Sequence, residues 1–285
     1  MQGRAQAPGA GTILNAIATG VGAAFAIDIQ TEATVILDTS NTIHGTISED
    51  STADTSLIEE CVALTIDRYG DGSYSGGTVE TKSSIPLAAG LKSSSAAANA
   101  TILATLQALD CTESVDPLEA TRVGVEAARN TGVTITGAFD DASASMLGGI
   151  TMTDNSTDAL LLQDELSAAV AVHTPPEQAF SADTDVEACR NIAPIAELVS
   201  ELVRAKNYGG AMTVNGLAYA AALGYSHERT LEALPHVKGV SLSGTGPSTV
   251  AIGDESAIDT VMETWTNKSG TTIRTTTNAD GATLR

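Results

Sequence analysis

The segment Pro86-Leu-Ala-Ala-Gly-Leu-Lys-Ser-Ser-Ser-Ala-Ala-Ala98 constrains this chain more than any other. A loop of small residues with three consecutive hydroxyls runs straight into an alanine-rich helix expected over Ser95 to Leu109. The start of a helix leaves backbone N–H groups unpaired at the positive end of its dipole, a ready seat for a phosphate. Gly90 lets the backbone approach an anion closely, and Ser93, Ser94 and Ser95 can donate to it or reach its metal ion. No G-x-x-x-x-G-K-[ST] string exists in the chain, so this is not a Walker loop. A serine cap ahead of an ordinary helix accounts for the same string equally well, and the rest of the chain must decide.

Three further motifs stand beside it. Ser241-Leu-Ser-Gly-Thr-Gly-Pro-Ser-Thr-Val250 lies between two apolar segments. It reads either as a tight turn between strands or, through Gly244 and Gly246, as an anion-binding nest of exposed amides. Thr136-Gly-Ala-Phe-Asp-Asp-Ala-Ser-Ala-Ser-Met-Leu-Gly-Gly149 sets Asp140 and Asp141 among small and apolar residues. At least one of those carboxylates is expected to be enclosed, where it can orient a hydroxyl, take its proton or hold a cation. Near the start, Arg4-Ala-Gln-Ala-Pro-Gly-Ala-Gly-Thr-Ile-Leu-Asn15 contains an Ala-Pro-Gly-Ala loop signal.

The charge balance narrows the partners. Fourteen basic against 35 acidic residues give a net charge of −21, spread along the whole chain. Such a surface repels nucleic acid and anionic membranes. It serves as a solubility device where salt screening is strong. No apolar run approaches the ~20 residues that span a bilayer, and no greasy segment follows Arg4. Cys61, Cys111 and Cys189 are scattered and odd in number, and the four histidines lack ligand spacing. A cytoplasmic protein is the expectation.

Apolar periodicity predicts strands within 22–38, 78–85, 168–174, 239–243, 248–253 and 271–277. It predicts helices over 57–69, 116–130, 185–205, 210–223, 227–234 and 255–266, the second opened by an Asp116 cap and Pro117. Strands and helices mix without regular βαβ alternation, which favours an α+β fold. A domain boundary is expected within 150–165, giving domains 1–158 and 159–285.

In their order the four motifs resemble the GHMP kinase superfamily. Pro86, Gly90, Leu91, Ser93 and Ser94 match its central Pro-x3-Gly-Leu-x-Ser-Ser-Ala loop, with Ser95 in place of the alanine. Ser243, Gly244, Gly246 and Pro247 match its C-terminal motif. Within the superfamily, Gly90 to Asn99, Thr136 to Ala142 and Leu14 to Gly20 resemble the archaeal shikimate kinase family, and an acid-rich composition fits a salt-loving archaeal member.

The resemblance implies a two-domain fold, with an N-terminal ribosomal-protein-S5-like domain and a C-terminal ferredoxin-like domain. It implies transfer of the ATP γ-phosphoryl group to the 3-hydroxyl of shikimate. ATP would contact Pro86, Leu87, Ala88, Ala89, Gly90, Leu91, Lys92, Ser93, Ser94, Ser95, Ala96, Gly244, Thr245 and Gly246. Magnesium would sit on Ser94 and a helical glutamate, for which Glu126 is the candidate. Asp141 would act as base or hydroxyl-orienting group, with Asp140 its neighbour and runner-up and Lys92 an added cation. The carboxylate of shikimate calls for a basic residue, with Arg4 and Lys82 as candidates. Two rival readings remain: a sister kinase acting on homoserine or mevalonate, and an ATP-binding sensor without catalysis.

Overall fold

A computed structural model describes residues 1–86, 89–134, 136–176 and 184–285. Its frame is a long antiparallel pair, β1 (Gln2–Leu14) and β2 (Val21–Asp38). In the second half of β2 the side chains alternate, with Ile29, Thr31, Ala33, Val35 and Leu37 inward and Asp28, Glu32 and Ile36 outward. That is the period of a half-buried strand. From Gly22 to Ile27 every residue is buried, because structure covers both faces of the sheet there.

The Ala-Pro-Gly-Ala signal in the first motif is not a loop. It lies inside β1, where the pairing register shifts between Pro8 and Gly9. A bulge tolerates a proline that lacks its N–H, and glycine is needed because a Cβ at Gly9 would come within 2.9 Å of the Leu91 carbonyl oxygen.

The pair is extended on both sides. After β3 (Ile43–Ile47) and α1 (Ser56–Tyr69), β4 (Gly76–Ser83) pairs antiparallel with β2 and parallel with β3. α2 (Ser93–Ala108), α3 (Pro117–Asn130) and α4 (Phe139–Leu147) follow. β5 (Ile150–Asp154) then returns to the first half of β2, and β6 (Ala159–Asp164) pairs with β5. The expected split after residue 158 therefore falls in the turn of the β5–β6 hairpin, and the first sheet continues through Asp164.

α2 packs on this sheet through Ala96, Ala100, Ala104 and Ala108, one small residue per turn. The approach is so close that a Cβ at Gly3 would lie 1.9 Å from the Ala104 carbonyl oxygen. At α3 the Asp116 carboxylate caps the amides of Leu118 and Glu119, as the sequence predicts.

The second sheet contains β7 (Ala169–Thr174), β8 (Gly239–Leu242), β9 (Thr249–Gly253) and β10 (Thr271–Thr276), antiparallel in the order β10-β7-β9-β8. α5 (Val186–Asn191), α6 (Ala193–Arg204), α7 (Tyr208–Leu223), α8 (Glu228–Ala233) and α9 (Glu255–Trp265) complete this half. Where periodicity reads one helix over 185–205, the chain forms two. Pro194 removes an N–H and its ring would clash with the carbonyl four residues back, so the helix restarts after Ile192. The chain end returns to the first sheet, where β11 (Thr283–Leu284) pairs with β1 and the Asn278 amide donates to the Ala26 carbonyl.

Candidate active site

The central motif turns into α2 at Lys92, a non-glycine residue in the left-handed region at φ +65°. No side chain caps the helix, so its first amides, at Ser93, Ser94 and Ser95, remain available to an anion. Ala89 and Leu91 are buried anchors, Ser94 is exposed and Pro86 half-buried. Leu87 and Ala88 lie outside the described residues.

The glycine-rich turn between β8 and β9 lies directly against this loop. The Ser243 hydroxyl donates to the Gly90 carbonyl at 2.8 Å. Gly90 has φ +74°, and a Cβ there would fall 2.2 Å from the Ser243 carbonyl oxygen. Gly244 has φ +59°, and its missing Cβ would sit 2.8 Å from Lys92 Nζ. Thr245 follows, half-buried, and Gly246 leaves room for the ring of Tyr225.

The end of β1 holds this turn in place. Thr12 Oγ1 accepts from the Gly244 amide at 2.8 Å, and Asn15 Nδ2 donates to the Gly244 carbonyl at 2.9 Å. Asn15 is tied in turn to Asn215 and to the Tyr219 hydroxyl, both on α7.

α4 brings the carboxylates. Its cap, Ala138, is also left-handed at φ +51°, and the first turn carries Asp140 and Asp141, both buried. Asp141 faces the phosphate loop, with its Oδ1 3.0 Å from Lys92 Nζ. The contact is one of charge, since Oδ1 makes no aligned hydrogen bond. Burial, and after it the negative charge of Asp140, push the Asp141 carboxyl up to about 7, against the pull of Lys92.

Asp140 faces the other way. Asn155 Nδ2 donates to its Oδ1 at 2.7 Å, and Asn155 Oδ1 accepts from its amide at 3.2 Å. A Cβ at Gly22 would lie 2.3 Å from Asp140 Oδ2. The two adjacent carboxylates thus have different surroundings: Asp140 is fixed by an amide, whereas Asp141 meets a cation at a helix start.

Two residues singled out from sequence stand elsewhere. Glu126 projects from the outer side of α3 and pairs with Arg68 at 2.6 Å. The α3 position that meets α2 is Gly124, beside Ala98 and Asn99, and two residues further on is 200° round the helix. Arg4 lies eight residues before Thr12 on β1, roughly 26 Å away at ~3.3 Å per strand residue. Its amide donates to Gln107 Oε1 and its carbonyl accepts from Arg285. Thr12, Asn155 and Tyr219 carry no local signal in the sequence, because each matters only through a partner far along the chain.

Among the described residues no three His, Cys, Asp or Glu side chains cluster as a metal site. The donor that fits a hard divalent ion beside a phosphate at this helix start is the exposed Ser94 hydroxyl. Magnesium commonly takes one or two protein oxygens and completes its shell with water and substrate phosphates.

Residues 56–149 match the model of the GHMP kinases N terminal domain. The chain is 58% identical over 283 residues to a shikimate kinase of Halobacterium salinarum, covering 99% of each chain. It is 50% identical to a shikimate kinase of Methanosarcina mazei, covering 99% of this chain and 96% of that one. This chain belongs to the shikimate kinase family. It is an enzyme of the GHMP kinase fold, and its acidic composition accords with the Halobacterium relative.

Solved structures share the fold at low identity. A homoserine kinase from Cytophaga hutchinsonii superposes with a TM-score of 0.76 at 20% identity, over 100% of this chain and 97% of that one. The mevalonate kinase of Methanococcus jannaschii gives 0.77 at 13%, over 97% and 98%. No helix among the described residues of this shikimate kinase family member is long and apolar enough to cross a membrane.

Proposed function

We propose that the chain transfers the γ-phosphoryl group of ATP to the 3-hydroxyl of shikimate, with Asp141 as the group that orients the hydroxyl and receives its proton. The observation that carries this reading is the Lys92–Asp141 pair, set between the uncapped start of α2 and the turn at Gly244. Phosphoryl transfer needs little covalent help from protein. It needs the reactants in line, the phosphate charge offset and a destination for one proton.

The amides at the start of α2 and the turn at Gly244 and Gly246 would hold the phosphates. Lys92 Nζ stands where it can meet a γ-phosphate oxygen without leaving Asp141. Asp141, pushed up to about 7, is poised near neutral pH, where a general base combines an ionised fraction with real proton affinity. The proton leaves the acceptor hydroxyl for Asp141 Oδ as the oxygen bonds to phosphorus and ADP departs. Magnesium, held by Ser94 together with the phosphates, would neutralise phosphate charge. Asp140 Oδ1 is held by the Asn155 amide, whereas Asp141 faces Lys92 at the phosphate loop, which favours Asp141 as the acting group.

The test is ADP release with ATP, magnesium and shikimate in molar potassium chloride, with homoserine and mevalonate alongside. Turnover confined to shikimate supports the reading. Turnover on another alcohol keeps the kinase and moves its acceptor, and ATP binding without turnover on any alcohol supports a sensor.

A further inference from the structure

The proposed acceptor carries a carboxylate, and it must enter a molecule of net charge −21 beside two buried aspartates. A cation on the acceptor side is therefore required, and Lys92 is already committed to Asp141. Of the fourteen basic residues, ten are held in ion pairs with carboxylates, leaving Arg4, Lys82, Arg190 and Arg204 among the described residues.

Position removes three of the four. Arg4 lies at the far end of β1. Lys82 alternates with the buried Thr81 on β4, so it sits on the sheet face turned away from α1 and α2, opposite Glu32 in register. Arg204 closes the twelve-residue α6, ~18 Å of helix from its start next to α5.

Arg190 remains, on a helix that packs towards the turn after β1. Its neighbour Cys189 is fully buried in a cluster with Tyr219 and Leu242, against which Ile17 and Ala18 pack. Tyr219 donates its hydroxyl to the Asn15 carbonyl and lies within electrostatic reach of both Cys189 and Asp140. Ala16, in the same turn, touches the space beside Gly22 and Asp140. α5 is therefore packed, through Cys189, on the cluster that also holds the turn after β1 beside Asp140, and Arg190 stands exposed one residue beyond that buried anchor.

We infer that Arg190 binds the carboxylate of the acceptor and thereby selects carboxylated alcohols. The inference rests on the proposed shikimate kinase activity. A guanidinium offers two parallel N–H donors to a carboxylate, so it fixes the orientation of the ring as well as its charge. Because this contact is the same before and during phosphoryl transfer, its loss is expected in KM for the acceptor rather than in kcat.

The experiment compares wild type, Arg190→Ala and Arg190→Lys with shikimate and with its methyl ester. Arg190→Ala is expected to raise the shikimate KM ten- to a hundredfold, with kcat and the ATP KM within about threefold, the latter showing that the fold is intact. Wild type should discriminate strongly against the ester, Arg190→Ala should treat the two acceptors alike, and Arg190→Lys should fall between. An Arg190→Ala enzyme with unchanged shikimate KM, or one that still discriminates against the ester, overturns the inference while leaving the activity standing. A wild type that does not phosphorylate shikimate overturns the proposed function, and this inference with it.

Discussion

At the scale of single residues, the site is a problem in placing charge. Asp141→Asn keeps the shape and removes the proton acceptor, so kcat should fall by about 10² to 10⁴. The ATP KM should stay within a few-fold, measured by initial rates over ATP and acceptor. The mutation also leaves Lys92, with a side chain 11% exposed, without its partner. Thermal unfolding should therefore register a loss of stability, on the order of a few kcal/mol for a buried pair broken on one side. The pH profile gives an independent reading. Asp141 must be ionised to accept a proton, so kcat/KM should decline on the acid side with an apparent pKa near 7. Lys92 pulls that value down, so Lys92→Met should move the acid limb to higher pH, in addition to slowing turnover. A limb that stays in place would mean that Lys92 does not act on Asp141 in solution.

At the scale of elements, the two glycine-bearing turns work as one junction. Gly90→Ala would put a methyl group 2.2 Å from a backbone oxygen at a residue with φ +74°, and neither obstacle can be relieved by a side-chain rotation. The expected result is at least a tenfold rise in the ATP KM together with a lower melting temperature, measured by initial rates and by calorimetry. Much of this was legible beforehand, because glycines, serines and a helix start announce themselves locally. The helices α1, α2, α3 and α9 and the strands of the second sheet were readable from periodicity and caps. What sequence concealed was what depends on distant pairing. Ala7 to Ala10 reads as a loop signal because Pro8 and Gly9 are turn residues that a bulge inside β1 accommodates, and β6 and α4 carry too little periodicity to be read without the elements they pack on. Glu126 failed for a related reason. Being on the right helix says nothing about the face it takes, and only the packing of Gly124 against α2 fixes that.

At the scale of the whole molecule, the acid excess sets conditions on everything above. With 35 acidic and 14 basic residues, and ten of those bases already paired, most carboxylates repel one another across the surface without compensation. Self-repulsion of this kind acts against the compact state, and the unfolded chain relieves it by expanding. The Debye length falls from about 10 Å at 0.1 M salt to about 3 Å at 1 M, so molar salt should remove most of the penalty between surface charges. The buried Lys92–Asp141 pair is screened far less, since little solvent reaches it. The melting temperature should therefore climb steeply with potassium chloride up to about 1 M and flatten beyond, as read by calorimetry over a salt series. Association with the polyanion ATP should respond in the same sense, its rate rising with salt because a net negative molecule repels it. Potassium chloride and an equally ionic chloride of another monovalent cation should then act alike, because the effect is one of ionic strength. A melting temperature insensitive to salt would mean that the acid excess is compensated within the fold, and that the four unpaired bases do not describe the balance of charge at the surface.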